Sequence, residues 1–445
     1  MSARQQLRNL VLAEDPYGEP AAQVRELQLE AARESFAAHR ERVPLLRRRA
    51  AETEVARIRS AADLVPLLFS HTSYKSYSLS WITGGRWDRM TQWYGTVSTL
   101  DPKDVDVEGV ADVDDWIGRL AAAGHTAYIT SGTSGKCSFL NCTAADLGFL
   151  GAIARRLTGW PDPLEPVATR RGYHLAPKRG AMRSIDGFLM HSEVFARPGE
   201  TVYLTEEPLR VAEIMHAGLL RRGMAEGTAT PRDITAFEEA SRLREAQMTA
   251  AVEAVVDDLL DHRREPLLIC GMWLQQFAVV QAGRARGVPD GEFHPDTLVV
   301  VGGGNKGLTL PEDYQQQIFG FYGPVRRTRS YGMTELQGSC HACERGRYHV
   351  PPWILPLILD EPGERLLNPE AGTVEGRFAF LDLSIEGRWG GLITGDRVTA
   401  DFSPCACGRS GPAILPEIRR YGELGGDDKI NCAATLDSYV RGMIV

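Results

Sequence analysis

Lysine is the scarcest common residue in this chain. Lys and Arg together number 50, yet lysine stands only at positions 75, 103, 136, 178, 306 and 429. A lysine inside a motif therefore carries weight. Cysteine is sparse as well. Eight in 445 residues do not make the dense disulfide framework of a small secreted domain. The net charge is −8 with Asp and Glu spread along the chain, and nothing suggests the basic footprint of a nucleic-acid binder. No apolar run is long enough to span a bilayer: the uncharged stretch 266–283 carries Gln275, Gln276, Gly271 and Gly283 and reads as a buried strand followed by the start of a helix. Residues 1–30 are charged and lack an apolar core segment, so no secretory signal is predicted. There is no internal repeat and no low-complexity linker. What remains is an ordinary globular composition, 43% hydrophobic and 24% charged, with enough apolar content for a large core. The expected place is the cytoplasm, with neither a nucleic acid nor a membrane as partner.

Within that composition one stretch stands out, Tyr128-Ile129-Thr130-Ser131-Gly132-Thr133-Ser134-Gly135-Lys136. An apolar run leads into hydroxyl residues, two glycines and one of the rare lysines. Glycines let the backbone turn tightly and approach a ligand. Successive N–H groups in such a turn form a concavity that suits an anion, and Lys136 adds positive charge at its rim. This is the chemistry of a phosphate cradle. It is not the loop of the common NTPases, which needs four residues between its first glycine and Gly-Lys, then Ser or Thr. Here Gly132 and Gly135 enclose two, and Cys137 follows the lysine.

The segments around the loop alternate. Residues 1–70 read as helices, with 21–42 rich in good helix formers. Ser60 with Asp63, and Thr143 with Asp146, have the spacing of a reciprocal helix cap. Strands are predicted over 124–130, 202–204, 267–270 and 297–301, and a long amphipathic helix over 235–261. The glycines 302–304 and Asn305 follow the last of these strands, where open α/β sheets bind ligands. From Trp353 onward, short strands over 377–381, 391–394 and 397–400 are separated by Gly, Pro and Asp, which predicts a barrel-like β lobe. The fold class is α/β, layered sheets plus that smaller lobe.

Two further motifs follow the loop in order: Ser330-Tyr331-Gly332-Met333-Thr334-Glu335 and Ile393-Thr394-Gly395-Asp396. The ordered set resembles the adenylate-forming superfamily of acyl-CoA synthetases and adenylation domains. The resemblance implies binding of ATP and a carboxylic acid, formation of an acyl-adenylate with release of pyrophosphate, and transfer to an acceptor. It implies that Thr130, Ser131, Gly132, Thr133, Ser134, Gly135 and Lys136 handle the β- and γ-phosphates. Gly302, Gly303, Gly304 and Asn305 would line the adenine, and Tyr331, before Gly332, would stack on it. Thr334 would reach the α-phosphate and Glu335 the Mg²⁺. Asp396 would take both ribose hydroxyls, for which a carboxylate, accepting without donating, is the right type. Lys136, Thr334 and Glu335 are the expected catalytic residues.

A second constellation is Cys343-x5-His349 with Cys405-x-Cys407. Zinc in a structural site takes four N or S ligands, commonly as two close pairs. Cys340-x-x-Cys343 with the later pair would serve equally, so the choice between Cys340 and His349 stays open. A Cys/His element after the Tyr-Gly motif and a later Cys-x-Cys-Gly-Arg also resemble the phenylacetate-CoA-ligase-like and acyl-protein-synthetase-like branch.

The expected organisation is a large domain over 1–424 and a hinge-like stub over 425–445. The large domain divides into a lead-in at 1–120, an α/β nucleotide-binding core at 121–340 and a β-rich lobe at 341–424. Gly425-Gly426-Asp427-Asp428-Lys429-Ile430 resembles the family's hinge, with glycine where an arginine is usual, and no complete small C-terminal domain is expected. Trp273, Phe277, Phe321 and Tyr322 are aromatic candidates for the acid pocket or, equally, for the core. An aromatic or mid-sized acid is favoured. The acceptor is a thiol (CoA, a carrier protein or a protein cysteine) or an amine. A nucleotide-binding scaffold without turnover is the remaining alternative.

Overall fold

The computed structural model describes residues 1–130, 136–303 and 310–423. They form two compact units that alternate along the chain. The first comprises residues 1–128, 138–153 and those from 330 onward; the second comprises 129–137 and 154–329.

The second unit is built on a five-stranded sheet. Its order is Ala196–Thr205, Arg170–Pro177, Leu267–Met272, Leu298–Gly302 and Arg326–Arg327, and every pairing is parallel. Parallel strands need crossovers, which the helices Arg183–Phe195, Pro231–Asp261 and Tyr314–Tyr322 help to supply. Side chains of a strand alternate between faces, and here both faces are apolar. Ile269, Val299 and Val301 pack into one cluster with Val256, Leu259 and Val280. Leu268, Cys270, Leu298 and Val300 pack into another with Phe188 and Phe195. Burial on both sides is the reason these strands read as unbroken hydrophobic runs. Each such fully buried side chain contributes about 1.5–3 kcal/mol.

The first unit combines N-terminal helices with a nine-stranded sheet. The helices Ala21–Arg42, Pro44–Glu52 and Trp87–Val97 bury Phe36, Leu45, Leu46, Trp93 and Tyr94. The sheet runs in the order Ile354–Leu359, Thr373–Asp382, Gly391–Asp401, Ala413–Ile414, Tyr348–His349, Cys340–Ala342 and Ser330–Tyr331. Phe69–Ser70 and Arg419–Arg420 also pair with Gly391–Asp401.

The helix over 21–42 has the span its composition predicts, and the strands expected at 267–270 and 297–301 are present with ends shifted by one or two residues. The two short strands expected at 391–394 and 397–400 are one continuous strand, Gly391–Asp401. Gly395-Asp396 has the residue types of a turn, but pairing on both sides keeps it within the sheet. The irregularity survives as a bulge. Ile393 pairs with Ala379 and Arg397 with Arg377, so Thr394, Gly395 and Asp396 face the single residue Phe378. Among the described residues no helix is long and apolar enough to cross a membrane.

Candidate functional site

The strand His125–Ile129 leads into the glycine-serine loop. Residues 131–135, and with them Ser131, Gly132, Thr133, Ser134 and Gly135, lie outside the described residues, as do Gly304 and Asn305. Thr130 and Lys136 flank the loop in the second unit. Gly302 ends the strand Leu298–Gly302, and Gly303 follows it with φ +79°. The glycines thus stand at the carboxyl end of a parallel strand, as expected.

In the first unit the structure brings Tyr331 and Asp396 together. Tyr331 ends the short strand Ser330–Tyr331, where Cys340 is its antiparallel partner. Its ring leans on Phe378 at 5.8 Å and Tyr348 at 6.3 Å. Its hydroxyl donates to Asp396 Oδ2 at 2.7 Å. Burial and then the neighbouring Asp396 push the phenol well above its usual range, so it stays a donor. The bulge supplies the aim of Asp396, because an extra residue in a strand redirects side chains locally. Thr394 Oγ1 donates to Phe378 O at 2.7 Å and accepts from the Asp396 N–H at 3.0 Å, which closes the bulge. Arg420, on the strand opposite, reaches Asp396 Oδ1 at 3.5 Å.

Gly332 and Met333 lead from Tyr331 into a turn in which the Leu336 N–H donates to Met333 O at 3.2 Å. Thr334 and Glu335 are half-buried in it. The turn is held from its far side by residues that sequence reasoning missed. Asp382 Oδ2 accepts from the Gln337 N–H at 2.6 Å, and Arg388 donates to Glu335 O at 2.8 Å. Burial pushes the Asp382 carboxyl up to about 6, against donors from Ser384 and Gln337 that favour its charged form. A single Asp and a single Arg in a Gly-rich stretch carry no signal that would have marked them.

The four metal-ligating candidates do converge. The ligand atoms of Cys343, His349, Cys405 and Cys407 all lie within 4.8 Å of one another. Cys407 Sγ is 3.3 Å from His349 Nε2. Two equivalent turns build this cluster. The Cys343 N–H donates to Arg347 O and the Gly346 N–H to Cys343 O; the Cys405 N–H donates to Arg409 O and the Gly408 N–H to Cys405 O. Gly346 has φ +75° and Gly408 φ +93°, values that glycine adopts at no steric cost. Both turns share the pattern Cys-x-x-Gly-Arg, which the motif reading did not use. Cys340 stands outside the cluster, on the strand beside Tyr331. Three thiols and one imidazole fit a zinc ion in a closed structural site. Burial opposes a thiolate at Cys407, yet donors from Arg409 hold its thiol below the usual range. Around the cluster, Arg409 pairs with Asp15 at 2.8 Å and Tyr17 OH bonds His341 Nδ1 at 2.8 Å.

The aromatic candidates for the acid pocket are distributed differently. Phe277, Phe321 and Tyr322 belong to the core of the second unit, and Tyr322 donates to Gln276 Oε1 at 2.6 Å. Trp273 is partly buried against that core, edge-on to Tyr314 and Phe319 at 5.3 and 6.0 Å.

No protein-family model and no curated protein matches the sequence. Solved structures do. A 2-hydroxyisobutyryl-CoA ligase in an open conformation, in complex with 2-HIB-AMP and CoA, aligns with a TM-score of 0.56 and 13% identity over 92% of this chain and 78% of that one. The same ligase with 2-HIB-AMP and CoA in its thioesterification state gives 0.58 and 13% over 90% and 69%. In its postadenylation state with 2-HIB-AMP it gives 0.55 and 12% over 92% and 71%. The chain has the fold of this 2-hydroxyisobutyryl-CoA ligase, matched over about nine-tenths of its length.

Proposed function

We propose that this protein activates a carboxylic acid with ATP as an acyl-adenylate, releases pyrophosphate, and passes the acyl group to a thiol. The observation that carries the reading is the Tyr331–Asp396 pair, an aromatic ring one 2.7 Å hydrogen bond from a strand-held carboxylate. A purine needs an apolar face and a ribose needs an acceptor for two hydroxyls. The Thr334–Glu335 turn follows Tyr331 directly. The solved neighbours carry 2-HIB-AMP, and two of the three complexes carry CoA as well, which supports an adenylate and a thiol as the ligands of this fold.

In this reading the acid's carboxylate oxygen attacks the α-phosphorus and the bond to the β-phosphate oxygen breaks. A thiolate then attacks the acyl carbon and AMP leaves. Asp396 orients the ribose and Tyr331 the adenine. The loop 130–136 receives the β- and γ-phosphates, with Lys136 offsetting their charge. Thr334 donates to the α-phosphate as charge moves onto the leaving group. Such preorganised donors contribute most where charge develops. Glu335 is the carboxylate that would hold Mg²⁺, which supplies charge neutralisation at the phosphates. Cys343, His349, Cys405 and Cys407 would hold zinc in a structural role, since four protein ligands leave no open position.

The test is ATP–pyrophosphate exchange with Mg²⁺ against aromatic, short-chain and long-chain acids, followed by CoA and other thiols as acceptors. Exchange with one class of acid supports the reading and names the acid. ATP binding without exchange for any acid would overturn it.

A further inference from the structure

The end of the strand Thr373–Asp382 and the loop that joins it to Gly391–Asp401 carry two ionisable side chains buried in the first unit. Asp382 is 0% exposed and Arg388 2%. Burying a guanidinium is costly unless its charge and donors find partners. One terminal nitrogen of Arg388 donates to Asn141 O at 2.8 Å and lies 3.6 Å from Cys142 Sγ, and the other donates to Glu335 O at 2.8 Å. One rigid fork thus ties Glu335 to the strand Phe139–Thr143. Asp382 holds the same turn two residues later through the Gln337 N–H, and Gln337 Nε2 in turn bonds the carbonyl of Asp146. The loop itself is fixed. Asp146 accepts from the N–H groups of Glu386 and Gly387 at 2.8 and 2.9 Å, and Asn141 Nδ2 donates to Gly387 O at 2.8 Å. Every bond Arg388 makes to the turn is to main chain. Its effect on the carboxylate of Glu335 therefore acts through the position of that residue's backbone.

We infer that Arg388 is a positioning residue for Glu335: its buried guanidinium pins the Glu335 carbonyl, so the carboxylate projects from a fixed point toward a divalent cation on the nucleotide. This rests on the proposed role of Glu335. A side chain on a pinned backbone holds its metal geometry without an entropic cost at each binding event. Lysine at 388 would keep the charge but lose the planar fork that reaches two carbonyls at once.

The experiment needs no knowledge of the acid. The dissociation constants of ATP are measured by calorimetry with Mg²⁺ and in excess EDTA, and their ratio gives the magnesium factor. Wild type, Arg388→Lys, Glu335→Asp and Glu335→Ala are compared, with thermal melting as the check on folding. Arg388→Lys should lose most of the magnesium factor, tenfold or more, while binding metal-free ATP within about twofold of wild type. A folded Arg388→Lys with the wild-type factor overturns the inference. If Arg388→Lys does not fold, Glu335→Asp decides. On a pinned backbone the shorter carboxylate cannot follow the ion and the factor falls at least fivefold; an unchanged factor overturns the inference. Glu335→Ala tests the underlying reading separately. If it keeps the full factor, the assignment of Glu335 fails whatever Arg388 does.

Discussion

The hydroxyl of Tyr331 donates to Asp396 Oδ2 at 2.7 Å, although Tyr331 ends one strand and Asp396 lies in a bulge of another. A carboxylate accepts from several donors without donating, which suits it to a pair of ribose hydroxyls. Asp396→Ala should cost ATP affinity about 1.5–3 kcal/mol, the range for hydrogen bonds to a charged group. Tyr331→Phe keeps the ring and frees an acceptor site that ribose can take, so it should change affinity only a few-fold. Calorimetry with ATP separates the two. Equal losses from both variants would assign the carboxylate a structural role instead.

The Cys343, His349, Cys405, Cys407 cluster should hold about one zinc per chain, readable by elemental analysis of the purified protein. Metal that binds only the folded state adds stability. Cys405→Ser, or a strong chelator, should therefore lower the melting temperature by several degrees. The short strands Tyr348–His349 and Cys340–Ala342 connect the cluster to Tyr331 through successive pairings, so ATP affinity should fall with the metal. A metal-free protein with unchanged melting and unchanged ATP binding would sink the zinc assignment.

How far the sequence could be read depended on whether a signal was periodic or solitary. The parallel core was legible because Leu267–Cys270 and Leu298–Val301 are buried on both faces and so carry no polar interruption. The candidate zinc ligands were legible as close pairs, and the structure groups His349, not Cys340, with Cys343, Cys405 and Cys407. Asp396 was read between two short strands, since Gly-Asp is turn chemistry unless pairing on both sides overrides it. Phe277, Phe321 and Tyr322 could not be assigned to core or pocket from sequence, because an aromatic side chain is equally suited to either. Arg388 and Asp382 were illegible: their partners lie far off in sequence, at 141 and 335–337.

Helix packing in the second unit offers a control that leaves the first unit untouched. A Cβ on Gly283 would stand 2.2 Å from Phe321 Cζ and 2.9 Å from Cε2, and Phe321 is fully buried. The helix Trp273–Ala285 therefore approaches Tyr314–Tyr322 as closely as it does only because residue 283 has no side chain. Gly283→Ala should destabilise the protein by about 1–3 kcal/mol, the usual cost of overpacking. Denaturant melts should show it; a midpoint equal to wild type would mean that the ring can swing away.

Two buried groups of the first unit set opposing responses to acid. His39 Nδ1 donates to Ser35 O at 2.8 Å and lies 3.2 Å from Ser35 Oγ, edge-on to Trp389, and burial, then the charge of Arg4, pulls it down to about 4 from its ordinary 6.5. A histidine with a depressed folded pKa contributes stability that is present above 6.5 and is lost as the pH falls toward 4. At 1.36 kcal/mol per pH unit the loss is roughly 3 kcal/mol. Asp382 is the reverse case, raised by burial from 3.8 to about 6. Its contribution is full below 3.8 and is lost as the pH rises through 6, so over the same window acidification stabilises through it. His39→Gln should therefore flatten the fall in melting temperature between pH 7 and pH 4.5. Asp382→Asn removes the compensating protonation and should steepen it. Melting curves at the two pH values decide the matter: a shift unaffected by either substitution would show that neither group controls acid stability, and a shift in the same direction for both would contradict the opposite signs assigned to them.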